Sequence, residues 1–309
     1  MTLYQFKDLI GTTPLIKIEN KIFAKFETYN PSGSVKDRMV AYIVETALNR
    51  REFHTISTFL EATSGNTGIS LAMIGARLRK KVKIIMPYNM STERKQLMRL
   101  FGAEIIEVGF NDFKEAIAVR DNLLKENNDY WSPHQFSNPL NIKCHRKTTG
   151  PEIYHGLNSL SAAGEKDKRM GAFIHGSGTG GTLMGVWEYF NKDLHFVPGT
   201  GNPKAIDFVL TTPAEDATSH GIQGINDGAN FLLDKNILDR EIAIKTDDAV
   251  EYMHKLATDK GLMVGISSAA NILASKKWLE DNPDKGNVIT MICDRGERYL
   301  DMTKENHHE

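Results

Sequence analysis

Residues 55–87 read TISTFLEATSGNTGISLAMIGARLRKKVKIIMP. Two apolar runs, TISTFLEAT from Thr55 and VKIIMP from Val82, enclose the loop Ser64-Gly65-Asn66-Thr67-Gly68 and then ISLAMIGARLRK from Ile69, whose apolar residues recur at helical spacing. Strand, glycine loop, helix and strand in that order form a βαβ unit, which builds a parallel sheet with the helix as its crossover. The pattern extends in both directions. STERKQLMRLFG from Ser91 and FKEAIAVRDNLLKEN from Phe113 read as helices around the strand AEIIEVG from Ala103. The second half repeats it: MGAFIH from Met170, a glycine loop, the helix TLMGVWEYF, a strand around DFVLTT from Asp207, helices from Asp247 and Ser267, and the strand NVITMICD. The expectation is an α/β protein of two lobes, each with a mostly parallel twisted sheet flanked by helices. Ligands of such folds sit at the carboxyl ends of strands, here in the cleft between the lobes.

A chain of 309 residues suits two lobes, since one domain usually takes about 100 to 200. With 40% hydrophobic and 25% charged residues and a formal charge of -1, the chain has an ordinary globular composition and no basic excess for a nucleic-acid backbone. Nucleic acid is therefore not an expected partner. No apolar run approaches the roughly 18 to 20 residues of a membrane helix, and MTLYQFKDLI lacks the basic flank and apolar core of a signal peptide. The expected location is the cytoplasm, away from any membrane. Cys144 and Cys293 cannot make a disulfide framework, and neither has a partner at metal-ligand spacing, so no metal site is expected. Adjacent Cys144 and His145 would seldom face each other as a thiolate pair. His307 and His308 in the tail read as solvated.

Near the start stands NPSGSVKDR, Asn30 to Arg38. Pro31 and Gly33 favour a tight turn, and Ser34 with Asp37 three residues later reads as a capping pair, which puts Lys36 in the first turn of a helix. There the positive end of the helix dipole, with Arg38 nearby and a partly desolvated cleft, disfavours the ammonium and frees the amine as nucleophile and base. An ordinary capped surface helix has the same spacing.

The loop His175-Gly176-Ser177-Gly178-Thr179-Gly180-Gly181-Thr182 shifts the balance. It runs from a strand into a helix and offers amides and hydroxyls as an anion cradle that needs neither a lysine nor a metal. Gly176, Gly178 and Gly181 also satisfy GxGxxG, but a dinucleotide site expects an acid about 20 residues on, at the end of the next strand. Here LHFV leads into Pro198-Gly199, and Asp193 lies before it. A monophosphate cofactor that also joins a lysine amine, pyridoxal 5'-phosphate, suits both loops better. The third loop, Thr63 to Gly68, again at a strand end and helix start, could hold the carboxylate of an amino acid, with Asn66 donating to a ring oxygen of the cofactor.

Taken together, NPSGSVKDR, EATSGNTG, QFSNPLNIKCHRKTTGPE from Gln135, GSGTGGT and VGISSAAN resemble the cysteine synthase family of fold-type II pyridoxal-phosphate enzymes, in order and over nearly the whole chain. MPYNMSTERKQLMRLFGAEII and ICDRGERYL are most similar to its B branch, O-acetylserine sulfhydrylase B. The resemblance implies a fold like that of the tryptophan synthase β chain. A smaller lobe would span 35–145, and a larger one, carrying the phosphate loop, 1–34 plus 146–309. It implies that Lys36 joins the cofactor and later moves the substrate Cα proton, that Gly178, Thr179, Gly180, Gly181 and Thr182 hold the phosphate, and that Asn66 faces the ring O3′. Ser267, the first serine of GISS, would face the pyridine nitrogen, where a hydroxyl makes the cofactor a milder electron sink than a carboxylate would. Thr63, Ser64, Gly65 and Thr67, with Gln135, would bind the substrate carboxylate.

The implied reaction replaces the acetoxy group of O-acetyl-L-serine by sulfide, or by thiosulfate, to give L-cysteine. A serine or threonine dehydratase, a cystathionine β-synthase-like enzyme and an O-phosphoserine sulfhydrylase would use the same lysine and loops. A catalytically silent relative would not need Lys36, Asn66 and Ser267 together. A homodimer is the family expectation, and no residue read here supports docking of a serine acetyltransferase. Three departures stand out. The family's GNTPL reads Gly11-Thr12-Thr13-Pro14-Leu15, its second Asn-Pro is Asn141-Ile142, and Asn226 after Gly221-Ile222-Gln223-Gly224-Ile225 fits neither branch, leaving leaving group and sulfur donor open.

Overall fold

The computed structural model describes residues 8–110, 112–160, 164–165, 167–194, 205–216, 219–225 and 231–302. It begins with a hairpin in which β1 (Leu15–Glu19) pairs antiparallel with β2 (Ile22–Phe26). There follow α1 (Lys36–Leu48), β3 (Thr58–Ala62), α2 (Asn66–Leu78), β4 (Lys81–Pro87), α3 (Thr92–Leu100), β5 (Glu104–Val108), α4 (Phe113–Glu126) and β6 (Tyr130–Trp131). The rest comprises α5 (Leu140–Lys147), α6 (Thr149–Ser159), β7 (Met170–Gly176), α7 (Gly181–Glu188), β8 (Asp207–Pro213), β9 (Arg240–Ile244), α8 (Thr246–Lys260), α9 (Ile266–Asp281) and β10 (Asn287–Ile292).

The chain divides into two units. The smaller holds Asn30–Asn141 with the described part of Met1–Ile10; the larger holds Gly11–Tyr29 and the described part of Ile142–Glu309. Among the described residues of the smaller unit four strands run in the order β5-β4-β3-β6, every pair parallel. The βαβ reading of residues 55–87 is realised as β3, α2 and β4, with Thr58 opposite Lys81 and Ala62 opposite Ile85. Every residue of β3 is buried, as expected of a strand covered on both faces. Gly75 lets α2 approach β4, because a Cβ there would lie 2.2 Å from Val82 Cγ2. Met39, Val44, Phe59, Ile69, Ile74 and Ile84 share one core, in which Phe53, Phe59 and Trp131 pack with ring centroids 5.1 to 5.6 Å apart.

Among the described residues of the larger unit six strands run in the order β1-β2-β10-β7-β8-β9, all parallel except the β1–β2 pair. β7 and β10 are buried throughout. Ile174, Val209, Leu256, Ile272, Trp278, Val288 and Ile292 belong to the core that α8 and α9 close. Gly261, at φ +64°, ends α8 in the left-handed conformation that glycine adopts without strain.

Several elements lie beyond the sequence reading. β6 has only two residues, β9 (REIAI) is half polar, and the β1–β2 hairpin lies ahead of the first glycine loop. The helix expected through Phe190 ends at Glu188 and continues as a wider π turn over Tyr189–Asp193. The strand expected at LHFV, beyond Leu194, lies outside the described residues, as do Asn226, His307 and His308. Among the described residues no helix is long and apolar enough to cross a membrane, and no group of three or more His, Cys, Asp or Glu side chains is placed to hold a metal ion.

Candidate active site

In the smaller unit, the turn ahead of α1 closes as Gly33 N–H donates to Asn30 O at 2.7 Å, with Gly33 at φ +82°. Lys36 is the first residue of α1 and is half-buried. The expected Ser34–Asp37 capping pair does not form. Val35 occupies the cap with no side-chain bond, and Ser34 Oγ lies 3.4 Å from the N–H of Lys36. The fully buried Asp37 carboxylate instead accepts Ser32 N–H at 2.7 Å and the hydroxyls of Ser32 and, from α2, Ser70. Asp37 thus fastens both the turn before Lys36 and the start of α1 to α2, a stronger hold than a cap on its own helix.

The loop from Thr63 to Gly68 turns the end of β3 into the start of α2. Gly65 sits at φ +158°, ψ -75°, where a Cβ would lie 2.4 Å from Arg94 Cδ, and its N–H donates to Thr63 Oγ1 at 3.1 Å. Asn66 opens α2, so the first amides of that helix have no carbonyl ahead of them within it. Thr63 and Thr67 are buried, Ser64 and Asn66 half-buried. Gln135 joins this group: Thr67 Oγ1 donates to its Oε1 at 2.6 Å, and its Nε2 donates to Ala62 O at 3.0 Å. These two bonds fix which way the Gln135 amide faces.

Sequence reasoning missed the support for Gln135. Glu61, fully buried in β3, accepts Gln135 N–H at 3.0 Å on Oε2; on Oε1 it accepts Ala62 N–H at 2.9 Å and Arg120 Nη1 at 3.0 Å. Burial, and then the Arg120 guanidinium, hold the neighbouring His134 imidazole below its ordinary pKa, so the ring is neutral at neutral pH. The one sequence signal was an acid in a strand otherwise without charge.

In the larger unit, β7 leads through Ser177 to the loop Gly178, Thr179, Gly180, Gly181 and Thr182 at the start of α7. Gly180 has φ +88°, and a Cβ there would lie 2.5 Å from Leu233 N; a Cβ on Gly178 would lie 2.7 Å from Gly224 O. The loop is thus packed so closely that only glycine fits at these positions. Its side-chain donors are the hydroxyls of Ser177, Thr179 and Thr182, with no charged residue among them. His145, whose only sequence reading was as a partner for Cys144, bridges two hydroxyls. Its Nε2 lies 3.2 Å from Thr182 Oγ1 and its Nδ1 2.8 Å from Thr149 Oγ1.

Ser267 is the second residue of α9 and is buried. The start of α9 is anchored by the segment after β10, as Gly265 N–H donates to Asp294 O at 3.0 Å and Cys293 N–H to Ser268 Oγ at 2.9 Å. One turn on, Asn271 accepts Gly176 N–H at 2.8 Å, which ties α9 to the end of β7. Lys36, Thr63, Ser64, Gly65, Asn66, Thr67 and Gln135 therefore belong to the smaller unit, and Gly178–Thr182 with Ser267 to the larger.

The family described as Pyridoxal-phosphate dependent enzyme matches the chain over residues 6–294. The chain is 39% identical over 300 residues to cysteine synthase B of Campylobacter jejuni, covering 95% of each chain. A hydrogen sulfide-producing enzyme from Fusobacterium nucleatum superposes with a TM-score of 0.84 at 34% identity, covering 96% of this chain and 99% of that one. An O-acetylserine dependent cystathionine beta-synthase from Helicobacter pylori superposes with a TM-score of 0.82 at 31% identity, covering 96% of each.

Proposed function

The chain belongs to the pyridoxal-phosphate-dependent enzyme family, and from that premise we propose that it is a cysteine synthase. It replaces the acetoxy group of O-acetyl-L-serine by sulfide, releasing acetate and L-cysteine. The likeness to cysteine synthase B along 95% of both chains carries this reading.

The residues fit the cofactor. The Gly178–Thr182 loop offers amides and neutral hydroxyls at the positive end of α7, a donor set suited to a phosphate monoester. Asn66 would meet the ring oxygen and Ser267 the pyridine nitrogen. When bound, the cofactor supplies an electron sink that acidifies the substrate Cα proton and eases departure of the β-acetoxy group. Lys36 Nζ anchors the cofactor, then takes up the Cα proton and returns one there after sulfide has entered. Thr63, Ser64, Gly65 and Thr67, with Gln135, hold the substrate carboxylate. Because Thr67 gives its hydroxyl proton to Gln135, the donors left for that carboxylate are the hydroxyls of Thr63 and Ser64, the second Nε2 proton of Gln135 and the amides opening α2. The enzyme works as a homodimer in the cytoplasm.

The likeness to the cystathionine beta-synthase favours one second reading, in which a larger thiol enters in place of sulfide. One experiment tests both. O-acetylserine added to the purified holoenzyme changes its visible absorbance; sulfide then restores the first spectrum with one cysteine formed per acetate. Restoration by homocysteine but not by sulfide selects the second reading. Conversion of serine to pyruvate without thiol capture contradicts both.

A further inference from the structure

The smaller unit buries an ion pair between β3 and α4. Glu61 sits in β3 at 0% exposure and Arg120 in α4 at 6%, 59 residues apart in sequence, with Arg120 Nη1 3.0 Å from Glu61 Oε1. Removing two charges from water is costly, and an apolar pair would fill a strand–helix interface at least as well. Yet Glu61 also holds Ala62 N–H and, across 74 residues, Gln135 N–H.

Gln135 lies in a segment that is neither helix nor strand. His134 before it takes φ +51°, and its carbonyl accepts the N–H groups of Ser137 and Asn138 at 3.0 and 2.9 Å, so a tight turn presents Gln135. Asn141 Nδ2 donates to Gln135 O at 3.1 Å, and the side chain is clasped by Ala62 and Thr67. The backbone N–H of this loop residue therefore rests on a carboxylate, and the carboxylate rests on Arg120, whose Nε and Nη2 are braced by Asp121 Oδ1 at 2.9 and 2.8 Å.

We propose that Arg120, acting through Glu61, is a positioning residue for Gln135, and that this pair sets how tightly the enzyme holds the carboxylate of its amino-acid substrate. The inference rests on the reading of Gln135 as a carboxylate-binding residue. Without Arg120, Glu61 keeps only the N–H groups of Ala62 and Gln135 on its buried carboxylate and must shift or admit water. Either change loosens the carboxylate that fixes Gln135 N–H, and the free Nε2 proton loses its aim. Carboxylate binding is made equally in ground and transition states, so its loss appears in KM for the amino acid and not in kcat.

The test compares Arg120→Met, Arg120→Lys and Gln135→Ala in the holoenzyme. Three quantities are read: the O-acetylserine concentration that half-saturates the absorbance change, kcat, and KM for sulfide. Arg120→Met should raise half-saturation about tenfold, in the range expected for one hydrogen bond to a charged group, with kcat and sulfide KM within about twofold. Arg120→Lys, which keeps the charge without the fork, should recover part of the loss and remains informative should Arg120→Met fail to fold. Should Gln135→Ala raise half-saturation while both Arg120 variants leave it unchanged, or lower kcat and weaken both substrates alike, the positioning role is wrong. Unchanged half-saturation in Gln135→Ala overturns the carboxylate reading itself, and the role of Arg120 with it.

Discussion

Asp37 shows how much a single side chain can decide. Sequence spacing offered it to Ser34 as a capping partner; in the fold its carboxylate takes the N–H and hydroxyl of Ser32 and the hydroxyl of Ser70. Spacing reports only local partners, and Ser70 is 33 residues away. Asp37→Asn turns one acceptor into a donor that faces donors already in place. Loss of one charge-assisted bond should cost about 1.5–3 kcal/mol, seen as a lower urea midpoint at unchanged slope, with weaker cofactor retention because the turn before Lys36 loosens. The same limit hid Glu61, Arg120 and His145. Each acts through a contact 37 to 74 residues away, whereas the tight turn at Gly33 and the loops Thr63–Gly68 and Gly178–Thr182 were legible as turns because each carries its own turn residues.

At the scale of elements, apolar runs and glycine loops located β3, α2, β4, β7 and β10, since strands buried on both faces and amphipathic helices write their period into sequence. β6 and β9 were not legible, one being two residues long and the other half exposed. Less legible still was how elements lean on one another around the loops. Asn271 of α9 accepts Gly176 N–H from the end of β7, and its Nδ2 lies 3.4 Å from Met291 O in β10. Asn271→Ala leaves that buried amide without its acceptor, at a cost of about 1–3 kcal/mol, while Asn271→Asp keeps the accepting oxygen. The expected result is faster release of cofactor from the Ala variant, followed by dialysis and absorbance. Retention equal to that of the unaltered protein would show that the β7 loop stands without α9.

Over the whole molecule, two units have separate cores: the smaller holds Lys36 and the loop Thr63–Gly68, the larger the loop Gly178–Thr182 and Ser267. The order of the motifs along the chain made the family legible, because several long motifs in sequence are far more specific than one glycine pattern. The Lys36 amine is proposed as the group that joins the cofactor, and peptide mapping separates it from every other lysine. The purified yellow holoenzyme is reduced with borohydride, digested, and its peptides weighed and sequenced by mass spectrometry. The expected result is a pyridoxyl group on Lys36 Nζ within NPSGSVKDR; the same group on any other lysine, with Lys36 unmodified, would remove Lys36 from this role.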